Sequence, residues 1–194
     1  MRLSTALLLI VSLSTCTADP PSAVDADRLP EKKRTSLGLY VDANGAYAML
    51  EAQPRARLID VRTPEEYAFV GHPPMAANVP LVFYDGWNAD EGSMRLRANS
   101  EFVAQVRARV ALGDTLLMMC RSGGRSAHAV EALAKAGFTD VYNVINGFEG
   151  DLQKTPGTKD FGRRSLNGWK NAGLPWTYDI DPNLVYQGSA HPQR

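Results

Sequence analysis

Residues 115–119 read Thr-Leu-Leu-Met-Met, with Cys120 next and Gly123 and Gly124 close behind. A strand with one wet face alternates apolar and polar residues. This run does not, as expected of a parallel strand covered on both faces. Parallel neighbours cannot be joined by a tight hairpin and need a crossover, usually a helix. The chain should therefore alternate strands with helices.

The flanking sequence supports that pattern. Short strands are expected at 37–41, 57–61, 77–81 and 141–145. A helix carrying Ala46, Tyr47 and Leu50 follows the first, with Asp42 or Asn44 as its cap. Thr63-Pro64-Glu65-Glu66 reads as a helix start, with a capping threonine, proline at the first helical position and glutamate three residues past the cap. Gly71 to Pro74 should break that helix. Residues 82–99 read as a long polar loop containing Phe83, Tyr84 and Trp87. Ser100 then caps a helix whose Phe102, Val106 and Val110 share a face, and Gly113-Asp114 ends it. After the cysteine, a helix at 124–135 presents Ala127, Val130 and Ala134 to the sheet. The expected fold class is α/β, a largely parallel sheet flanked by helices.

The chain has 194 residues, room for one domain with tails or extra loop. Lys plus Arg and Asp plus Glu both number 21, so the formal net charge is zero. That balance argues against nucleic-acid binding and a polybasic membrane patch. Met1-Arg2, the apolar run 6–11 and the small and polar residues through Ala18 have the layout of a signal peptide spanning 1–18. Leu13-Ser14-Thr15-Cys16 also resembles a lipobox, which makes a lipid anchor at Cys16 the alternative to cleavage after Ala18. Either route implies export to the periplasm. Residues 19–35, polar, proline-bearing and charged, read as a linker or arm before a domain at 36–176 and a tail at 177–194.

Export sharpens the cysteine count. With Cys16 removed or lipidated, Cys120 is a single free thiol in a compartment that favours disulfides. It stands where a buried strand meets a helix start. Gly123 and Gly124 let the backbone curl so that successive N–H groups face inward and form an anion cradle. Arg121 and Arg125 add positive charge that favours an ionised sulfur. Sites of open α/β sheets also lie at the C-terminal ends of strands.

Cys120-Arg121-Ser122-Gly123-Gly124-Arg125-Ser126 resembles the active-site loop of rhodanese-like domains. The resemblance extends to Leu58-Ile59-Asp60-Val61-Arg62, Pro64-Glu65-Glu66-Tyr67, Gly71-His72 and Ala77-Asn78-Val79-Pro80. It continues in Ala136-Gly137-Phe138, Val141-Tyr142-Asn143, Gly147-Phe148 and the segment Trp169 to Pro175. It implies a sulfurtransferase in which Cys120 takes sulfur from a small donor such as thiosulfate. The resulting persulfide is passed to cyanide or a thiol, or to a partner protein. Arg121, Ser122, Gly123, Gly124 and Arg125 would bind the donor, with Asp60, Arg62 and Ser126 in support. Asp60 would brace the cysteine loop, or merely end a sheet edge; Arg62 and Glu66 fit a structural ion-pair or capping set. No metal or organic cofactor is implied, and His72, His128 and His191 lack metal-ligand spacing. Four residues separate Cys120 from Arg125, where similar-looking phosphatases and arsenate reductases have five, which argues against phosphatase chemistry. The competing expectations are a non-enzymatic binding module and a persulfide carrier dedicated to one partner. Two stretches depart from the family pattern, Pro73-Pro74-Met75-Ala76 and an inserted loop at 151–167.

Overall fold

The computed structural model describes residues 24–188. The expected signal peptide, Cys16 and His191 lie outside the described residues. The strands are β1 (Tyr40–Val41), β2 (Ala56–Asp60), β3 (Ala77–Asn78), β4 (Val82–Asn88), β5 (Ser93–Ala98), β6 (Thr115–Met119) and β7 (Val141–Val144). The helices are α1 (Ala43–Ala52), α2 (Pro64–Val70), α3 (Phe102–Arg107) and α4 (Gly124–Lys135). Five strands form one sheet in the order β1-β7-β6-β2-β3, with every neighbouring pair parallel. The α/β fold class expected from the sequence is the one observed.

The unbroken apolar run has a direct structural cause. β6 is the central strand, and successive side chains leave it on opposite faces. Leu116, Met118 and Cys120 enter a cluster with Phe102 and Val106 of α3, and Val130 and Leu133 of α4. Leu117 and Met119 enter the other, with Ala46 and Met49 of α1, Phe148 and Trp169. Both faces are dry from Leu116 to Met119, and the one polar residue of the strand, Thr115, stands at its half-buried start, where its hydroxyl donates to Asp140. The helix starts follow their sequence signals. Asp42 accepts from the Gly45 N–H at 2.7 Å. Thr63 and Glu66 form a reciprocal capping box around Pro64.

Residues 82–99 differ from the expected loop. Most of the stretch is an antiparallel ribbon, β4 with β5, separate from the main sheet. The strand-favouring Val82, Phe83, Tyr84 and Trp87 outweigh the polar residues between them. Phe83 is packed by Tyr186 at 5.3 Å between ring centroids and by the Arg97 guanidinium at 5.0 Å. The following helix is also shorter than expected. α3 stops at Arg107, no side chain caps it, and Ser100 is replaced in the lead-in by Asn99, which accepts from the N–H of Glu101, the residue before the helix, at 3.1 Å.

Three flanking segments close over the sheet. In the stretch expected as a linker, residues 24–35 make two 3-10 turns, Ala26–Arg28 and Glu31–Lys33. Lys33 is buried there, with its ammonium 3.0 Å from both carboxylate oxygens of Asp151. In the tail, Thr177 pairs with His72, and the Leu184 carbonyl accepts from the Asn78 N–H, which covers the outer edge of β3. The 151–167 stretch, expected as an inserted loop, folds back on itself through a Leu152–Arg164 bridge.

Candidate active site

Cys120 follows directly on the last residue of β6, and its loop is clamped from outside the strand. Its carbonyl accepts from the Phe148 N–H at 2.8 Å, and the Arg121 carbonyl accepts from Glu149 and Gly150 at 2.9 and 3.2 Å. Gly147 lies so near that a Cβ there would sit 2.4 Å from the Cys120 carbonyl oxygen. Gly123 turns the chain into α4 at φ +95°, where a Cβ would come within 2.2 Å of the Ile145 carbonyl. Only glycine meets both demands. The curl predicted from two glycines therefore depends on Gly123 and on an unpredicted one, Gly147.

The Cys120 thiol group is 2% exposed as a residue, and two donors approach its sulfur. The Gly123 N–H donates at 3.2 Å, and the Ser126 hydroxyl lies at 3.3 Å. Ser126 is also 2.7 Å from Asn143 Oδ1. The Asn143 amide nitrogen faces the carbonyls of Lys33 and Gly123 at 2.9 and 3.1 Å, so its orientation is fixed by two acceptors. Asn143 Oδ1 must then accept, and the single Ser126 proton is shared between Asn143 and the sulfur. A neutral thiol can donate to the Ser126 oxygen, whereas an anionic sulfur competes with Asn143 for the hydroxyl proton.

The two loop arginines have different fates. Arg121 is exposed. Arg125 is held by Glu66, with Nη1 and Nη2 each 2.6 Å from a carboxylate oxygen. Burial disfavours the Glu66 charge, but the Arg125 hydrogen bonds and charge outweigh it and hold its pKa below the usual value. Burial also opposes the Arg125 charge, and Glu66 again reverses the balance. Arg125 thus anchors α4 to the start of α2, with its charge matched by a carboxylate. Ser122 and Gly124 are half-buried.

A family model described as Rhodanese-like domain matches residues 42–154. The chain belongs to the rhodanese-like domain family. The chain is 33% identical to Uncharacterized protein RP600 of Rickettsia prowazekii, over 69% of this chain and 92% of that one. It is 37% identical to Thiosulfate sulfurtransferase 16, chloroplastic, of Arabidopsis thaliana, over 47% of this chain and 70% of that one. Among solved structures it resembles Rv0390 from M. tuberculosis, at 34% identity and a TM-score of 0.57, covering 71% and 96% of the two chains.

Within this rhodanese-like domain, Asp60 and Arg62 lie apart from the sulfur. Asp60 is in register with Met119, the residue before Cys120, so its side chain takes the face opposite the cysteine. Its carboxylate accepts from Arg62 through N, Nε and Nη2, and both side chains are fully buried. Arg62 also donates to the Gly71 carbonyl at 2.8 Å and lies over the Phe148 ring at 4.3 Å. The expected brace from Asp60 to the loop is replaced by an ion pair with Arg62, which Phe148 links to the Cys120 carbonyl. The Arg62–Glu66 set separates accordingly: Arg62 pairs with Asp60, and Glu66 with Arg125. His72 stacks on Tyr67 at 3.6 Å with Nδ1 on the Tyr67 carbonyl, and His128 is exposed.

Asn143, Lys33 and Gly147 were not singled out as site residues from the sequence. Asn143 had a visible signal, a lone amide inside the apolar strand Val141–Val144. Lys33 had none, because its carbonyl meets Asn143 across 110 positions of sequence. Among the described residues no group of three or more His, Cys, Asp or Glu side chains is placed to hold a metal.

Proposed function

We propose that this chain is a sulfurtransferase that carries sulfane sulfur as a persulfide on Cys120. The observation that carries the reading is the sulfur's own setting: a lone cysteine at the end of the central strand, with the Gly123 N–H and the Ser126 hydroxyl directed at it. The Cys120 thiolate attacks the outer sulfur of thiosulfate. A new S–S bond forms as the old one breaks, and its electron pair departs with sulfite. A nucleophilic acceptor, cyanide or a thiolate, then bonds the terminal sulfur and returns the electron pair to Cys120. The loop N–H groups and Ser126 stabilise the negative charge on the outer sulfur, as fixed donors stabilise developing charge elsewhere. Arg121, exposed at the mouth, steers an anionic donor inward. Neither half-reaction requires a metal or organic cofactor. The name and identity of the chloroplast relative support the same reading.

Retention of Cys120, Arg121 and Arg125 favours an enzyme over a binding module, which has no need of the nucleophile. Incubation with thiosulfate followed by intact mass measurement tests this. The expected result is a gain of one sulfur that cyanide removes and that Cys120→Ser prevents. No sulfur uptake by reduced, folded protein would leave the carrier or binding reading in its place. The leader-like stretch 1–18 supports export to the periplasm. Cell fractionation with mass analysis of the mature N-terminus tests that, and distinguishes cleavage after Ala18 from lipidation at Cys16.

A further inference from the structure

Most cations around the Cys120 loop already have a carboxylate. Arg62 is paired with Asp60, Arg125 with Glu66, and Lys33 with Asp151. Arg164 is different. It comes from the inserted 151–167 stretch and is half-buried. Its Nη1 donates to the Gly150 carbonyl at 2.6 Å, and the Gly150 N–H in turn donates to the Arg121 carbonyl at 3.2 Å. The guanidinium is therefore linked to the cysteine loop through a single residue, Gly150. Its hydrogen-bond partner is a neutral carbonyl, and it forms no salt bridge among the described residues.

The insertion is built to hold it there. Asn167 Oδ1 accepts from the Asp151 N–H at 2.8 Å, and the Asn171 amide donates to the Glu149, Arg164 and Asn167 carbonyls. Gly168 and Gly150 meet so closely that a Cβ on Gly168 would lie 2.4 Å from the Gly150 nitrogen. Beside this contact a cleft of about 530 Å³ opens, lined by Val70, Glu149, Leu152, Arg164 and Lys170 among others, so the guanidinium is reachable from solvent. Burial first, and then the positive charge of Arg121, push the Arg164 pKa below its ordinary value, against the pull of Glu149, Asp151 and Cys120. Arg121 is the residue whose carbonyl the Gly150 N–H meets, and Gly150 also holds Arg164, so two positive side chains attach to this stretch of the cysteine loop, and an anion drawn to it relieves their mutual repulsion.

We propose that Arg164, delivered by the inserted stretch, joins Arg121 as a second guanidinium for the anionic sulfur donor and sets the preference for negatively charged donors over neutral ones. Its role is in specificity. It lowers the concentration of donor needed and leaves the sulfur-transfer step itself to Cys120 and its hydrogen-bond donors. The assignment deepens the sulfurtransferase reading and rests on it for the identity of the donor.

Two alkylating reagents separate charge from access, iodoacetate (anionic) and iodoacetamide (neutral), each reacting with Cys120 in the full-length protein. In Arg164→Gln the iodoacetate-to-iodoacetamide rate ratio should drop roughly fivefold at low salt, and less in high salt, as a lost nearby charge requires. Persulfide formation from thiosulfate should slow by a similar factor at low donor concentration and recover at saturation. Arg164→Lys should keep most of the ratio. Arg57→Gln, which removes an exposed cation near the N-terminal end of β2 and away from this cleft, should leave it unchanged. An unchanged ratio in Arg164→Gln, or an equal change with both reagents, would overturn the proposal, because the residue would then act through structure alone. If the wild-type protein takes no sulfur from thiosulfate yet the ratio still drops, the electrostatic assignment stands and the sulfurtransferase reading is what fails.

Discussion

At the C-terminal end of β2, Asp60 and Arg62 are wholly buried, and the carboxylate takes three guanidinium and backbone donors from one residue. One strand over, at the end of β6, the Cys120 sulfur has a single backbone N–H and a hydroxyl that it shares with Asn143. The two sites occupy the same level of the same sheet. Their difference is one of charge: the Asp60 carboxylate is matched by a guanidinium, although Arg62 Nη1 is left without a hydrogen-bond partner, whereas the sulfur has partners that become stronger as it becomes more negative. A buried pair with matched charges holds a structure in place. An incompletely satisfied sulfur at a strand end is what the proposed sulfur transfer calls for.

The β2 side of that comparison breaks with the largest effect. Asp60→Ala leaves the Arg62 guanidinium buried without its carboxylate, which should cost about 3–5 kcal/mol of folding stability in urea unfolding. Burial opposes the Arg62 charge, and Asp60 is what keeps its pKa raised. The double variant Asp60→Ala, Arg62→Met should recover most of that loss, since removing both charges removes the uncompensated one. A double variant as unstable as the single one would show that the pair contributes packing or backbone positioning beyond its charge.

How Asp60 stands to Cys120 is a matter of register. Leu58-Ile59-Asp60-Val61-Arg62 is legible as a strand and the aspartate as its end. The face an end residue takes relative to Cys120, however, depends on how β2 aligns with β6. That alignment, Asp60 opposite Met119, is a property of two segments 59 residues apart and of neither alone. The features that were legible are local in chain: the two-faced apolar run of β6, the Thr63–Glu66 capping box, and the strand–cysteine–glycine–helix order. The ribbon β4–β5 was hidden because charged and polar residues interrupt its alternation at Asp85 and Gly86, and the strand register itself shifts between Tyr84 and Trp87. Arg164 and Lys33 carry no periodic pattern, and their importance arises only from tertiary docking.

On the β6 side, Asn143 supports the loop through four polar contacts formed by one amide and one hydroxyl. Asn143→Ala removes the donors to the Lys33 and Gly123 carbonyls and leaves the buried Ser126 hydroxyl with only the sulfur as a partner. The expected cost is about 2 kcal/mol, in the range for stranding buried polar groups. Ser126→Ala should cost less, about 1 kcal/mol, because one oxygen acceptor, Asn143 Oδ1, loses its donor and not two. The double variant should lose less than the sum, since both single changes break the same bond. Additive losses in thermal or urea unfolding would show that the Ser126–Asn143 bond contributes nothing in solution.

The smallest effect sharpens the contrast between the loop arginines. Glu66→Gln exchanges a charged partner of Arg125 for a neutral one at a site where both side chains are about one-fifth exposed, so the loss should be about 1 kcal/mol at neutral pH. Its pH dependence carries the information. A carboxylate whose pKa is lowered by folding adds stability above its unfolded-state value, about 4.3, and loses it as the pH falls through the lower folded-state value. The gap between wild type and Glu66→Gln should therefore hold at pH 6 and close towards pH 3. The same substitution leaves the Arg125 charge unmatched beside Cys120, so the iodoacetate-to-iodoacetamide ratio should rise, by roughly twofold. It should move opposite to the change expected for Arg164→Gln. A fall in the ratio would mean that Arg125 had swung away from the loop once Glu66 released it, and that the ion pair serves to keep that charge near the sulfur.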